Sequence, residues 1–212
     1  MIARFTLALF LGCALLADSQ TQHKPAAAPA AKQPDDAQLY RNTTFGFRYK
    51  IPYGWVERTK EMREQQEPAS SSATVPNDKG PAQGEVLLAI FERPPNAPGD
   101  TINSAVVIAS ESTAAYPGLK KAEDYLGPLT ELTTAKGFQP EGDPDVLEID
   151  SRQLIRADFV KPLTDKLTMR QATLILLVKG RIVLFTFIGG SEDELDELME
   201  GLHFGTTKSG AH

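Results

Sequence analysis

Cysteine is almost absent from this chain: 212 residues hold one, Cys13. A domain lying beyond it has no disulfide and no thiol nucleophile, so packing alone must hold it together. Histidine is nearly as scarce, with three in all. His23 and His212 fall in segments without apolar pattern, leaving His203 as the one imidazole in a region expected to fold. That inventory is too thin for a zinc site built from Cys and His. It also argues against nucleophilic hydrolysis, which needs a base beside a Ser or Thr and a third group to orient it. No G-x-S-x-G occurs; Gly189-Gly190-Ser191-Glu192 lacks the second Gly, and its Ser reads as a helix cap. Basic clusters are missing too. The formal net charge is -6, and nothing exceeds Lys120-Lys121, which disfavours nucleic acid, where phosphate neutralisation dominates affinity. No apolar run reaches the roughly 18 residues that a membrane-crossing helix needs.

What is present begins with Arg4 ahead of an apolar run from Phe5 to Ala17, and polar sequence starts at Asp18. This reads as a signal peptide over residues 1–17 of an exported, secreted protein, periplasmic or extracellular. Two endings compete. Ala17 or Ser19 is a small residue before a cut at Asp18 or Gln20, as ordinary signal peptidases need. Alternatively Phe10-Leu11-Gly12-Cys13 resembles a bacterial lipobox, which makes Cys13 the lipidated first residue and the protein a membrane-anchored lipoprotein. The apolar run continuing through Ala14-Leu15-Leu16-Ala17 fits the first reading better. Residues 18–39, with Ala-Ala-Ala-Pro-Ala-Ala and Gln-Pro-Asp-Asp, carry neither apolar period nor aromatic before Leu39 and read as a disordered Pro/Ala-rich linker. Residues 40–205 are then one domain, large enough to bury about 70% of its unfolded surface, with 206–212 a disordered tail.

Within the domain, Phe45, Phe47, Tyr49 and Ile51 alternate with polar residues, the mark of a half-buried strand. Pro52-Tyr53-Gly54 before Trp55 and Val56 reads as the turn of a hairpin. Residues 61–84 are polar, with Ser70-Ser71-Ser72 and Pro76-Asn77-Asp78, and are expected to form a flexible loop. Val86 to Phe91, Ala105 to Ala109, Leu174 to Val178 and Ile182 to Ile188 are almost wholly apolar, so both faces of their sheet are covered. The last two are joined only by Lys179-Gly180-Arg181, too short for a parallel crossover, and must pair antiparallel. Val146 to Ile149 and Gln153 to Val160 read as strands around Asp150-Ser151.

Helical spacing links Leu119, Ala122, Leu126 and Leu129. Gly127-Pro128 should kink or divide that helix, and Gly137 ends it. Ser191 and Glu194 form a capping box for a last helix with Leu195, Leu198, Met199 and Leu202 as its buried stripe. The fold class is therefore α+β: an antiparallel β-sheet with helices on both faces, an α/β/α sandwich.

Few groups can carry chemistry. Glu141-Gly142-Asp143-Pro144-Asp145 lacks the order of a calcium loop. Asp193 with Glu197, and Asp196 with Glu200, are i,i+4 carboxylate pairs that read as a solvated face or a dock for a basic partner. Asn42-Thr43-Thr44 is a glycosylation sequon where the host has that machinery. Trp55 is expected to pack the sheet edge. No catalytic, cofactor-binding or metal-ligating residue is assigned, and no cofactor.

Several motifs in order resemble the PsbP-like and DcrB-like superfamily of exported proteins. They are Tyr40-Arg41-Asn42 before Phe45-Gly46-Phe47, the Pro52-x-Gly54-Trp55 turn, Ala122-Glu123-Asp124-Tyr125-Leu126, and Lys179-Gly180 leading into an aromatic strand and Ser191-Glu192-Asp193-Glu194-Leu195. The resemblance spans Tyr40 to Phe204 and implies an α/β/α sandwich around an antiparallel sheet. Its members include a photosystem extrinsic subunit, bacterial envelope lipoproteins and a GTPase-binding protein, so it implies binding or assembly in preference to catalysis; an uncharacterised bacterial envelope branch is the nearest likeness. The expectation is a non-enzymatic envelope module with a protein partner. A small-molecule or cation carrier is the alternative, and a hydrolase using carboxylates the third reading.

Overall fold

A computed structural model describes residues 38–71, 84–94 and 97–205. The expected signal peptide with Cys13, the expected linker as far as Ala37, and the tail 206–212 lie outside them, as do His23 and His212.

Seven strands make the main sheet: β3 (Val56–Glu57), β4 (Glu85–Phe91), β5 (Ala105–Ser112), β6 (Gln139–Ile149), β7 (Arg152–Thr164), β8 (Leu167–Val178) and β9 (Arg181–Gly189). Their spatial order is β3-β4-β5-β9-β8-β7-β6, with every neighbouring pair antiparallel. Two tight turns set the registers at one end. Lys179 and Gly180 take φ values of 50° and 69°, and Asp150 and Ser151 take 47° and 64°. Two consecutive positive φ angles match the right-handed twist of the strands they join, so β8–β9 is the hairpin the sequence predicts, and the two strands read around Asp150-Ser151 form another, β6–β7.

Both faces are covered, as the uninterrupted apolar strands require. On one side lie a 3₁₀ turn at Ala122–Tyr125 and helix α2 (Leu126–Thr134). The expected division at Gly127-Pro128 falls where 3₁₀ gives way to α, with Pro128 in the first turn, where a missing N–H costs nothing. Tyr125, Leu129 and Phe138 pack there on Ile155, Ala157, Phe159, Ile175 and Ile182.

The other face is covered by helix α3 (Glu192–Met199) together with a three-stranded sheet, order β1-β2-β10, made of β1 (Leu39–Asn42), β2 (Phe47–Lys50) and β10 (Leu202–Phe204). Phe47, Phe185 and Phe204 meet edge to face, with ring centroids 5.0 to 6.5 Å apart. Tyr49, fully buried, donates its hydroxyl to the Leu198 carbonyl at 2.9 Å. Burial of a Phe side chain of this kind contributes about 1.5–3 kcal/mol. This second layer corrects two expectations. Pro52-Tyr53-Gly54 does not close a hairpin: Trp55 N–H bonds the Pro52 carbonyl and Gly54 takes φ 82°, but β2 pairs with β1 and β10 while β3 pairs with β4, so the turn carries the chain between sheets. Leu202 is buried, yet as the first residue of β10 instead of on the helix stripe. The domain also starts one residue early, since β1 opens at Leu39.

The expected loop 61–84 is corrected over its first part, because helix α1 runs Thr59–Ser71. Residues 72–83 lie outside the described ones. Glu61-Met62-Arg63-Glu64-Gln65 are strong helix formers, and their polarity hid that. The helix grows from the sheet itself: β3 ends at Glu57, Arg58 N–H still bonds the Ala89 carbonyl at 2.8 Å, and the Thr59 hydroxyl oxygen accepts from Ala89 N–H at 3.0 Å. Arg63 then donates from Nε to the Val86 carbonyl. Attachment by hydrogen bonds along β4 needs no apolar stripe.

Candidate functional site

Antiparallel pairing of β6 with β7 puts Val146 opposite Ile155 and Ile149 opposite Arg152, and the Asp150-Ser151 turn follows at once. Beside that hairpin end, α3 and β10 close a cleft of about 710 Å³. Leu147, Ile149, Met199 and Leu202 supply its apolar surface; Glu148, Asp196, Glu200 and Arg156 stand around it, with Asp150 and His203 at one end. The apolar groups follow from the strand period of two: Leu147 and Ile149 share a face and pack on the core, while Val146 and Glu148 point the other way.

His203 and Asp150 are the relationship that sequence reasoning missed. The Asp150 carboxylate lies 3.2 Å from His203 Nδ1 and accepts from Phe204 N–H at 3.0 Å. The Phe204 N–H bond is the main cause that holds the Asp150 carboxyl below its usual pKa, and His203 and Arg48 add to it. The partners are 53 residues apart, and the only local signal was the strained Asp-Ser turn. His203 lies in β10, two residues beyond the turn that follows α3. Among the described residues no hydroxyl hydrogen-bonds its ring, so the pair is an orienting contact without a nucleophile beside it.

Arg156 pairs with Asp158 at 2.9 Å and with Asp196 at 3.0 Å. Arg170 joins Glu141 and Glu192 in the adjoining hollow. Asp196 is therefore partly neutralised by the sheet, whereas Asp193, Glu197 and Glu200 of the expected carboxylate pairs face solvent. The 141–145 run forms no ligand loop: it is where the β6–β7 register shifts, between Glu141 and Asp145. Among the described residues no group of three His, Cys, Asp or Glu could hold a metal ion.

The remaining singled-out residues are structural. Ser191 caps α3 by accepting from Glu194 N–H at 3.2 Å. Glu194 does not reach back to the cap's own N–H; it accepts from Gly190 N–H at 2.7 Å and from the buried Ser104 hydroxyl. Asn42 bonds Phe45 N–H and the Tyr40 hydroxyl, so the sequon's side chain is engaged in a turn. Trp55 is half-buried against the core, and lines a second hollow with Glu92, Glu197 and Glu200. Lys120 and Lys121 offer their backbone N–H groups to Asp124, and these bonds lower its pKa.

The strand order and layers define an α+β protein with an antiparallel sheet between helices. No family model matches the chain, and no curated protein does. Several solved structures are similar to it at low sequence identity. Cyanobacterial PsbP from Synechocystis is 14% identical over 79% of this chain and 91% of that one, at a TM-score of 0.45. LpqN, involved in cell envelope biogenesis of Mycobacterium tuberculosis, is 14% identical over 82% and 88%, at 0.40. The Ran-binding protein Mog1p of Saccharomyces cerevisiae is 11% identical over 80% and 96%, at 0.40. The likeness is one of architecture, and the site is argued from its own geometry.

Proposed function

We propose that this chain is an exported, non-enzymatic binding module that holds a protein partner in the cleft between the β6–β7 hairpin end and α3–β10. The observation that carries the reading is the cleft's composition: half-buried Leu147 and Ile149 beside the buried Met199 and Leu202 in a half-open groove, ringed by charged groups of which Arg156, Asp196, Asp150 and His203 are already held by one another or by backbone. Such a rim fixes orientation, and the apolar floor supplies affinity. Export rests on the Phe5 to Ala17 run behind Arg4, and envelope residence on the same segment. The supporting experiment is site-specific photocrosslinking in the native host from a residue placed at Glu148 and, as control, at Lys166 on the β7–β8 turn. A discrete adduct from 148 and none from 166 is expected; equal labelling from both sites would sink the reading.

A small-molecule carrier is the second reading, favoured by the cleft volume, which lies in the range of ordinary ligand sites. Thermal shift against metabolites and cations separates the two. A ligand present at about 100 times its Kd should stabilise the fold by about 2.7 kcal/mol, and a module for protein partners should show no shift.

A further inference from the structure

Strand β6 is an edge strand: among the described residues its one sheet neighbour is β7. Exposed edges present alternate unpaired N–H and C=O groups, and proteins normally guard them with proline, charge or a bulge. The first half of β6 is guarded in all three ways. It carries Pro140 and Pro144, the acids Glu141, Asp143 and Asp145, Gly142 at φ 69°, and the register shift against β7. The guard stops at Val146. From there to Ile149 the pairing with β7 is regular, three of the four residues are apolar, and Val146 is 58% exposed. The unguarded stretch is the one that borders the cleft, which Leu147, Glu148 and Ile149 line.

We infer that Val146–Ile149 accepts an extended, basic segment of a partner protein as an added strand, its apolar side chains alternating into the cleft. This rests on the binding reading above and names the partner's chemistry and mode. Main-chain hydrogen bonds to the edge supply affinity, and alternate side chains supply specificity. Charge selects the occupant. Residues 139–149 hold four carboxylates and no base, and Glu200 stands across the cleft. A second copy pairing antiparallel along Val146–Ile149 would bring Glu148 beside its own copy, with Asp143 and Asp145 flanking, which opposes self-pairing. A strand alternating Lys or Arg with apolar residues places its cations on the Glu148 face and its apolar groups on the opposite one, over Leu147 and Ile149.

The test is selection of a random heptapeptide library against the full mature chain, followed by amide NMR mapping of the enriched peptides. Peptides alternating Lys or Arg with β-branched or aromatic residues are expected, with shifts and slowed exchange centred on Val146–Ile149. N-methylation of two alternate peptide nitrogens should weaken binding about tenfold or more by removing two main-chain bonds. Glu148→Lys should shift the enriched set towards acidic residues while leaving the thermal midpoint unchanged. Three outcomes overturn the proposal: no enrichment, enrichment without basic alternation, or sedimentation showing a dimer that Glu148→Lys alters. Peptides that map to the cleft and tolerate N-methylation also overturn strand addition, but leave the binding reading standing.

Discussion

The Asp150 carboxylate holds His203 Nδ1 at 3.2 Å and the amide of the next residue, Phe204, at 3.0 Å. One side chain thereby fastens the end of the main sheet to β10 of the small one, across the mouth of the cleft.

Asp150 makes an acid-side prediction. Its folded pKa is depressed, chiefly by the Phe204 N–H bond. A depressed carboxyl contributes stability above its unfolded pKa, near 3.9, and that contribution is lost as pH falls through the folded value. Urea unfolding from pH 5 downwards should therefore show a smaller loss in Asp150→Asn than in the native chain. Asn also tolerates the left-handed backbone, so equal slopes in both proteins would show that the contact does not form in solution.

Ser151 sits at φ 64° beside Asp150 at 47°, where a side chain meets the following carbonyl and costs roughly 1–2 kcal/mol. Ser151→Gly removes that strain at some cost in unfolded-state entropy. A net gain of about 0.5–1 kcal/mol is expected from the urea midpoint at unchanged slope, while Asp150→Gly should lose stability because the carboxylate goes with it.

Ser104 is 2% exposed and donates to Glu194, which also accepts from Gly190 N–H. Removing Glu194 leaves a buried hydroxyl without its acceptor, costing about 1–3 kcal/mol. Glu194→Ala should fall in that range, Ser104→Ala should cost less, and a double-mutant cycle should return a coupling of at least about 0.5 kcal/mol. Simple additivity of the two changes would refute the contact.

Glu111 receives two phenols, Tyr116 at 2.5 Å and Tyr125 at 2.9 Å, and Tyr125 is fully buried. Burial is the main cause raising both tyrosine pKa values, as it is for Tyr49. Groups so raised contribute stability below the unfolded pKa, about 10, and lose it as pH rises through the folded value. Absorbance titration should show Tyr49 and Tyr125 ionising only with alkaline unfolding. Tyr125→Phe should cost about 1 kcal/mol at neutral pH.

Much of this protein was legible along the chain. The period of two in β2, the apolar runs of β4, β5, β8 and β9, the two-residue turns at 150–151 and 179–180, the break at Gly127-Pro128 and the Ser191 cap are local events, each written in a few adjacent residues. Steric limits on φ and ψ, together with side-chain periodicity, act over that range, so local chemistry alone dictates the α+β class and most of the elements. Partnership was set elsewhere. β2 joins β10 across some 150 residues instead of pairing over the Pro52 turn, α1 is held by Thr59 and Arg63 on β4 instead of by an apolar stripe, and Asp150 finds His203. Those choices depend on which surfaces remain to be covered once the seven-stranded sheet exists. The cleft arises from them, because its walls come from β6, β7, α3 and β10 and no stretch of sequence contains more than two of these.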